Sequence, residues 1–419
     1  IRGDMAQTAP MLRLLQGDVG SGKTLVALLA MLSAVEAGAQ AAMLAPTEIL
    51  ARQHFATLQQ QCTPLGVNVA ILTGREKGRA REATLMGLTD GSIHILVGTH
   101  AIFQQKVAYK SLGLVVVDEQ HRFGVSQRLL LTSKAEHPPH LLAMTATPIP
   151  RTLTLTHYGE MDVSRIDEMP PGRTAVETRV VSDHKLAEVI EGLGRHIAAG
   201  GQAYWVCPLV EESEAIDAAA AEERAAVLQA RFGSSKVGLV HGRMKGPEKD
   251  AVMASFASGE LAVLVATTVI EVGVDVPNAS LIVIEGAERF GLAQLHQLRG
   301  RVGRGAALSR CILLRGDKLT DTGRTRLALM RETNDGFRIA EEDLKLRGPG
   351  EILGTRQSGD QAFRLATPED VTDLAPLAQA DAQLLLDRDG GLASTRGQAA
   401  RTCLYLFERD SAVGLLRSG

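Results

Sequence analysis

Eight residues near the start of the chain, Gly17-Asp18-Val19-Gly20-Ser21-Gly22-Lys23-Thr24, fit the pattern GxxxxGK[ST]. Glycines at this spacing let backbone N–H groups turn inward around phosphate oxygens, and a helix starting there adds its positive end. Lys23 brings a charge to the outer phosphates, and Thr24 brings a hydroxyl to a magnesium ion. The flanks give the pattern its weight: LRLL (12–15) reads as a strand before it and LVALLAML (25–32) as a helix after it. About 95 residues further on, the apolar run LGLVVV leads into Asp118 and Glu119. Two carboxylates ending a buried strand are costly unless they meet a cation or a polar cleft. In that reading Asp118 holds the metal through water, and Glu119 orients and deprotonates an attacking water. A third segment, Gln294 to Gly305, carries Arg301 and Arg304 three residues apart, with Gly300 and Gly303 permitting close approach. Arginines at i and i+3 share a helix face and can reach one phosphate cluster, and arginines from a second domain make hydrolysis depend on closure.

These residues need strands and helices to hold them. Short Val/Leu/Ile runs at 11–16, 41–45, 67–72, 93–97, 114–117 and 141–144 alternate with helical stretches, as a parallel sheet covered on both faces requires. A second set follows at 203–207, 237–240, 262–266, 281–284 and 311–314. Between the sets, the Pro-Pro-Gly of 167–173 suits a linker. The Ala- and Glu-rich stretch 211–231 reads as a helix without site chemistry, and beyond residue 318 the strand signal fades into amphipathic helical pieces. The expected organisation is α/β: a nucleotide-binding domain over 1–165, a second parallel-sheet domain over 166–318, and a mostly helical region over 319–419.

Composition narrows the classes. With 419 residues, 45% apolar and 22% charged, the chain is neither disordered, collagenous nor coiled-coil. Its net charge of −3 hides a basic stretch: residues 299–356 hold eleven Arg and two Lys against eight acidic residues. Cations placed locally are what a phosphate-lined partner needs. The four cysteines lie far apart and form no CxxC pair, which points to a reducing compartment without zinc or a disulfide framework. Aromatics are 3% with one tryptophan, Trp205, so platforms for stacked bases are scarce. The longest apolar stretch, 25–45, is broken by Ser33, Glu36, Gly38 and Gln40 and reads as a helix followed by a strand. A cytoplasmic protein with no membrane span is expected. The opening on Ile1 suggests a piece of a longer protein.

Taken in order, the motifs resemble a superfamily 2 helicase core, a pair of RecA-like domains. They are GDVGSGKT (17–24), APTEILARQH (45–54), LTG (72–74), GTHA (98–101), DEQHRFG (118–124), TATPIPRT (145–152), HGRMK (241–245), VATTVIEVGVDVPNA (265–279) and QLRGRVGRG (297–305). Residues 331–359 resemble the TRG segment shared by the RecG and Mfd families, and QGDVGSGKT, DEQHRFG and ERFGLAQLHQLRGRVGRG bring the likeness closest to RecG. That resemblance implies an ATP- and Mg²⁺-dependent motor on branched double-stranded DNA. It also implies a monomer, with single-stranded-DNA-binding protein as a candidate partner.

The resemblance also implies roles. Gln297, Arg301 and Arg304 would contact the nucleotide across the cleft, while Glu271, Gly273 and Asp275 would couple the nucleotide to the track. Thr47, Glu48, Gly74, Thr99, His100 and Thr268 would touch the nucleic-acid backbone, and Thr145 and Thr147 would link hydrolysis to it. Arg326, Arg331, Arg347, Arg356 and Gln357 would form a hairpin and loop acting on duplex DNA. Two family features have no counterpart in the sequence: an N-terminal wedge domain, and an adenine-reading Gln motif before Met11. Weak ATP binding, slow hydrolysis and little junction specificity are therefore expected of this chain alone. The nearest rival is an Mfd-type translocase. A DExH RNA helicase is disfavoured by the TRG segment and by His121, and a non-catalytic scaffold by intact Lys23, Asp118, Glu119, Arg301 and Arg304.

Overall fold

The computed structural model describes residues 1–104, 106–119, 138–146, 161–168, 175–208, 214–267, 276, 278–303, 308–347 and 368–407. Seven strands form a first parallel sheet: β1 (Leu12–Gly17), β2 (Gln40–Leu44), β3 (Val69–Leu72), β4 (Ile95–Gly98), β5 (Leu112–Val117), β6 (His140–Thr145) and β7 (Asp162–Ile166). Their order is β3-β4-β2-β5-β6-β1-β7. Six more form a second sheet: β8 (Glu177–Ser182), β9 (Gln202–Val206), β10 (Val237–Val240), β11 (Val263–Ala266), β12 (Ala279–Ile284) and β13 (Arg310–Arg315), ordered β10-β11-β9-β12-β13-β8.

Continuous apolar strands fit this arrangement because both faces are buried. Along β5, Leu114 and Val116 join one core with Leu15, Met31, Met43 and Leu58, while Val115 and Val117 join another with Leu44, Leu72 and Leu96. The second sheet divides the same way at β9: Tyr204 and Val206 face one core, Ala203 and Trp205 the other. Tyr204 meets Phe256 edge to face with ring centroids 5.0 Å apart. Trp205 is fully buried, so the single tryptophan serves packing, not base stacking.

Two strands went unpredicted, β7 and β8. Among the described residues each lies at one edge of its sheet, and its sequence, DVSRI or ETRVVS, is more polar than those of β3 and β10 at the opposite edges.

The helices that matter for the site are α1 (Lys23–Glu36), α2 (Glu48–Cys62), α3 (Gly78–Asp90), α4 (Leu186–Ala198), α5 (Glu214–Phe232), α6 (Gly246–Ala257), α7 (Leu292–Arg299), α8 (Asp321–Glu332) and α9 (Gly336–Arg347). Beyond them lie α10 (Pro368–Arg388) and α11 (Thr395–Leu406). Helices α8 and α9 form a hairpin that packs on α7. Among the described residues no helix is long and apolar enough to cross a membrane.

Candidate nucleotide site and interdomain cleft

The glycine-rich loop leaves the carboxyl end of β1 and turns into α1. Gly22 sits at φ +96°, a left-handed conformation that a side chain would strain, and α1 begins at the next residue. The Lys23 ammonium is buried and donates to the carbonyl oxygens of Gly17 and Asp18, each at 2.7 Å. The Ser21 hydroxyl is buried with no hydrogen-bond partner. Thr24 is half-buried in the first turn of α1.

Two strands away across the sheet, with β6 between, β5 ends at Asp118. Its Oδ2 lies 2.8 Å from His54 Nε2 on α2, and its Oδ1 accepts from the Glu119 N–H at 3.0 Å. Burial alone would push this carboxyl up. The His54 hydrogen bond and charge, the Lys23 charge and the Glu119 N–H together outweigh burial and hold it below the ordinary carboxylate value. Glu119 itself has φ +52°, a rare conformation for a residue other than glycine. Thr145 ends β6 in register with Gln16 of β1, and both are buried beneath the loop.

The second domain meets this loop through α7. His296 Nε2 hydrogen-bonds Asp18 Oδ1, and Arg299 Nη2 donates to His296 Nδ1 at 3.1 Å. Arg299, 2% exposed, also donates through Nη1 to the carbonyls of Met330 and Thr333, each at 2.8 Å, at the end of α8. Burial pulls its guanidinium below the usual arginine value, with Cys311 and Asp18 opposing. At Gly300 the domains come very close: a Cβ there would lie 2.9 Å from Val19 Cβ, so glycine is required. Arg301 follows, buried, in the turn beyond the end of α7 at Arg299, so it does not stand on the helix face that its spacing suggested; the chain has already left the helix at Gly300. A P-loop at the end of one sheet thus faces a buried arginine segment from another, joined by packed polar contacts.

The comparisons with known proteins accord with this geometry. Residues 6–156 match the family DEAD/DEAH box helicase, 184–306 the Helicase conserved C-terminal domain, and 333–398 the ATP-dependent DNA helicase RecG, domain 3, C-terminal. The ATP-dependent DNA helicase RecG of Escherichia coli (strain K12) is 56% identical over 370 residues, 87% of this chain and 53% of the relative. That of Acidithiobacillus ferridurans is 56% identical over 389 residues, 93% of this chain and 57% of the relative. The chain belongs to the RecG helicase family. A solved structure of RecG bound to a three-way DNA junction superposes with a TM-score of 0.75 at 44% identity, covering 90% of this chain and 49% of that one. The yeast Dbp5 structure with RNA, 17% identical with a TM-score of 0.58 and 90% of each chain covered, shares the fold alone. The chain spans about half the length of the curated relatives it matches.

In this RecG-family chain the loop 17–24, Asp118, Glu119, Thr145, Gln297 and Arg301 fall at the ends of strands β1, β5 and β6 and of helix α7. Thr47, Gly74, Thr99 and His100 follow β2, β3 and β4 along one side of the first sheet. Thr47 caps α2, accepting from Leu50 N at 3.4 Å, while Gly74 and His100 are exposed. Arg326 and Arg331 both lie on α8, but five residues apart, near opposite faces. Arg331 instead lines a groove of about 460 Å³ with Arg315, Arg324 and Leu327. Arg347 ends α9. Thr147, Thr268, Glu271, Gly273, Asp275, Arg304, Arg356 and Gln357 lie outside the described residues, as does His121.

Sequence reasoning missed His54, His296, Arg75 and Asp250. Arg75 pairs with Glu48 at 2.8 Å and with Asp250 of α6, linking the two domains beside Gly74. His54 and His296 stood inside motifs that were read, and burial on an otherwise apolar helix face was the available signal.

Proposed function

We propose that this chain is the motor portion of an ATP-hydrolysing enzyme that moves on double-stranded DNA and remodels branched junctions. The observation that carries the reading is the buried meeting of the P-loop with α7, where Val19 touches Gly300 and Asp18 bonds His296. A nucleotide hydrolase that merely turned over substrate would need one domain; a second domain seated on its phosphate loop turns hydrolysis into relative movement. The solved RecG relative bound to a three-way DNA junction supports branched DNA as the partner. Residues 1–165 and 166–318 would be the two motor domains, and 319–419 the coupling region.

The roles follow from position. Lys23 would leave the Gly17 and Asp18 carbonyls for the β- and γ-phosphates, and Ser21, whose hydroxyl is buried without a partner, would gain one from the same phosphates. Glu119 would orient the attacking water and take its proton, and Arg301 would meet the charge that develops on the transferred phosphate. Thr24 and Asp118 offer the hard oxygen donors that suit Mg²⁺, which when bound there would neutralise phosphate charge. Thr47, Gly74, Thr99 and His100 would follow the DNA backbone.

The test is ATP turnover with and without a three-way DNA junction. DNA should raise turnover in the natural chain, and Lys23→Ala and Glu119→Gln should each lower it at least a hundredfold. Equal turnover in all three proteins would remove the reading.

A further inference from the structure

Asp18 lies inside the phosphate loop, yet its side chain is not directed at the phosphate cradle. Only its backbone carbonyl serves Lys23; its carboxylate crosses the cleft to His296. Both groups are nearly enclosed, with side chains 14% and 7% exposed. The imidazole has one arrangement that satisfies its neighbours. Arg299 can only donate, so Nδ1 accepts from it, and Nε2 carries the hydrogen given to Asp18. A half-buried carboxylate is thereby linked through one ring to a buried guanidinium, and each end is anchored. Asp18 is fixed at the end of β1, and Arg299 is fixed to the closing carbonyls of α8.

We infer that Asp18 and His296 are positioning residues: they seat α7 on the phosphate loop, so that Arg301 is delivered to the nucleotide in one register. The inference rests on the motor reading and deepens it, because it moves Asp18 from the nucleotide's ligands to the domain interface. The contact of the next residue, Val19, supports the same geometry. Val19 and Gly300 approach so closely that α7 can rest on the loop only in this seating. A side chain that bound nucleotide would govern affinity. One that seats a domain governs turnover and leaves affinity alone.

Two measurements separate these. In the full chain, Asp18→Asn and His296→Gln are compared with the natural protein for binding of a fluorescent ADP analogue and for junction-stimulated ATP turnover. Expected are affinities within about twofold of the natural chain, and turnover lowered about tenfold or more in each variant. The double variant should be no slower than the slower single one, because both changes break one contact. Retained nucleotide binding also shows that each variant is folded. Affinity falling in step with turnover would return Asp18 to the nucleotide site, and additive losses would deny that the two residues act together; either overturns the inference.

The second measurement needs no activity. Amide hydrogen exchange of α7 and of the loop 17–22, followed without nucleotide, should be severalfold faster in Asp18→Asn than in the natural chain, while β2 and β5 keep their protection. Unchanged exchange in α7 would overturn the inference. A natural chain without DNA-stimulated turnover would instead count against the motor reading, leaving hydrogen exchange to decide on the pair.

Discussion

Two aspartate–histidine pairs flank the candidate nucleotide site, and they are built differently. Asp118 and His54 both belong to the first domain, one at the end of β5 and the other on α2, 64 residues apart in the chain. Asp18 and His296 are 278 residues apart and belong to different domains. The first pair is held on both sides by one packed sheet, so it persists wherever the second domain sits. The second exists only while α7 rests on the phosphate loop. The same two side chains therefore do two jobs: one sets the charge of a carboxylate, the other reports where a domain is.

The strongest way to break the comparison is at the internal pair. Asp118→Asn should lower turnover on the order of 10²–10³-fold, because it removes charge stabilisation at the developing transition state. His54→Phe keeps the carboxylate but deletes its partner, and a loss of about 10–100-fold is expected. The pH dependence distinguishes them. The Asp118 carboxyl is held below its ordinary value, so the native state favours the ionised form more than the unfolded chain does. Its contribution to stability is full above about pH 4, where the unfolded carboxyl ionises, and fades as the pH falls through the lower native value. His54→Phe should weaken that contribution, flattening the acid limb of melting temperature against pH. An unchanged limb would show that His54 does not set the Asp118 charge.

An intermediate effect is expected where the cross-domain pair is anchored. Arg299→Ala deletes two charged hydrogen bonds to the end of α8 and one to His296. About 2–3 kcal/mol should be lost for the second domain and its helical hairpin. Urea unfolding followed by hydrogen exchange would place that loss. Protection should fall in α7, α8 and β13, where Cys311 packs near the guanidinium, and stay as it was in β2 and β5. Loss spread evenly over both sheets would mean that the two domains unfold as one unit.

What could be read from the residues follows the same division between local and distant. The strand, loop and helix around 17–24 and the strand running into Asp118 and Glu119 were legible because each is a short run with one secondary-structure signal; the arginine segment was legible only up to Arg299, where its helix ends before Arg301. The inner strands were legible because burial on both faces makes them apolar throughout, as in β2 and β5. The edge strands β3 and β10 were legible too because they stay apolar, whereas β7 and β8 were not, because Asp162, Arg165, Glu177 and Arg179 break their apolar runs. His54, His296, Arg75 and Asp250 escaped for a different reason. Each finds a partner 64 to 278 residues away, and spacing along a chain carries no record of such a meeting. Arg326 and Arg331 show the converse: the segment was expected to be helical, but a helix sends residues five apart to different faces.

The smallest effect is expected furthest from the cleft, at Arg324 and Arg331. They lie seven residues apart on one face of α8, with Leu327 and Ala328 between them, and share a groove with Arg315 beside β8. Asp317 is the carboxylate at its rim, and it pairs with His184 at 2.8 Å. In the order of the second sheet, β8 is five strands from β10, about 24 Å, whereas Arg75 reaches the domain on the β10 side. The groove is therefore remote from the side where Gly74 and residues 241–245 lie. If Arg331 grips a duplex as the family likeness implies, it does so as a second point of contact, and each phosphate it or Arg324 neutralises has a signature. The slope of log affinity against log salt should shallow by about 0.9 for each arginine replaced by alanine. Affinity for a plain duplex at moderate salt should fall only a few-fold, far less than the losses expected at Asp118. A slope that stays put in the double variant would take both arginines off the DNA and leave the grip to the residues around Thr47, Gly74 and Thr99.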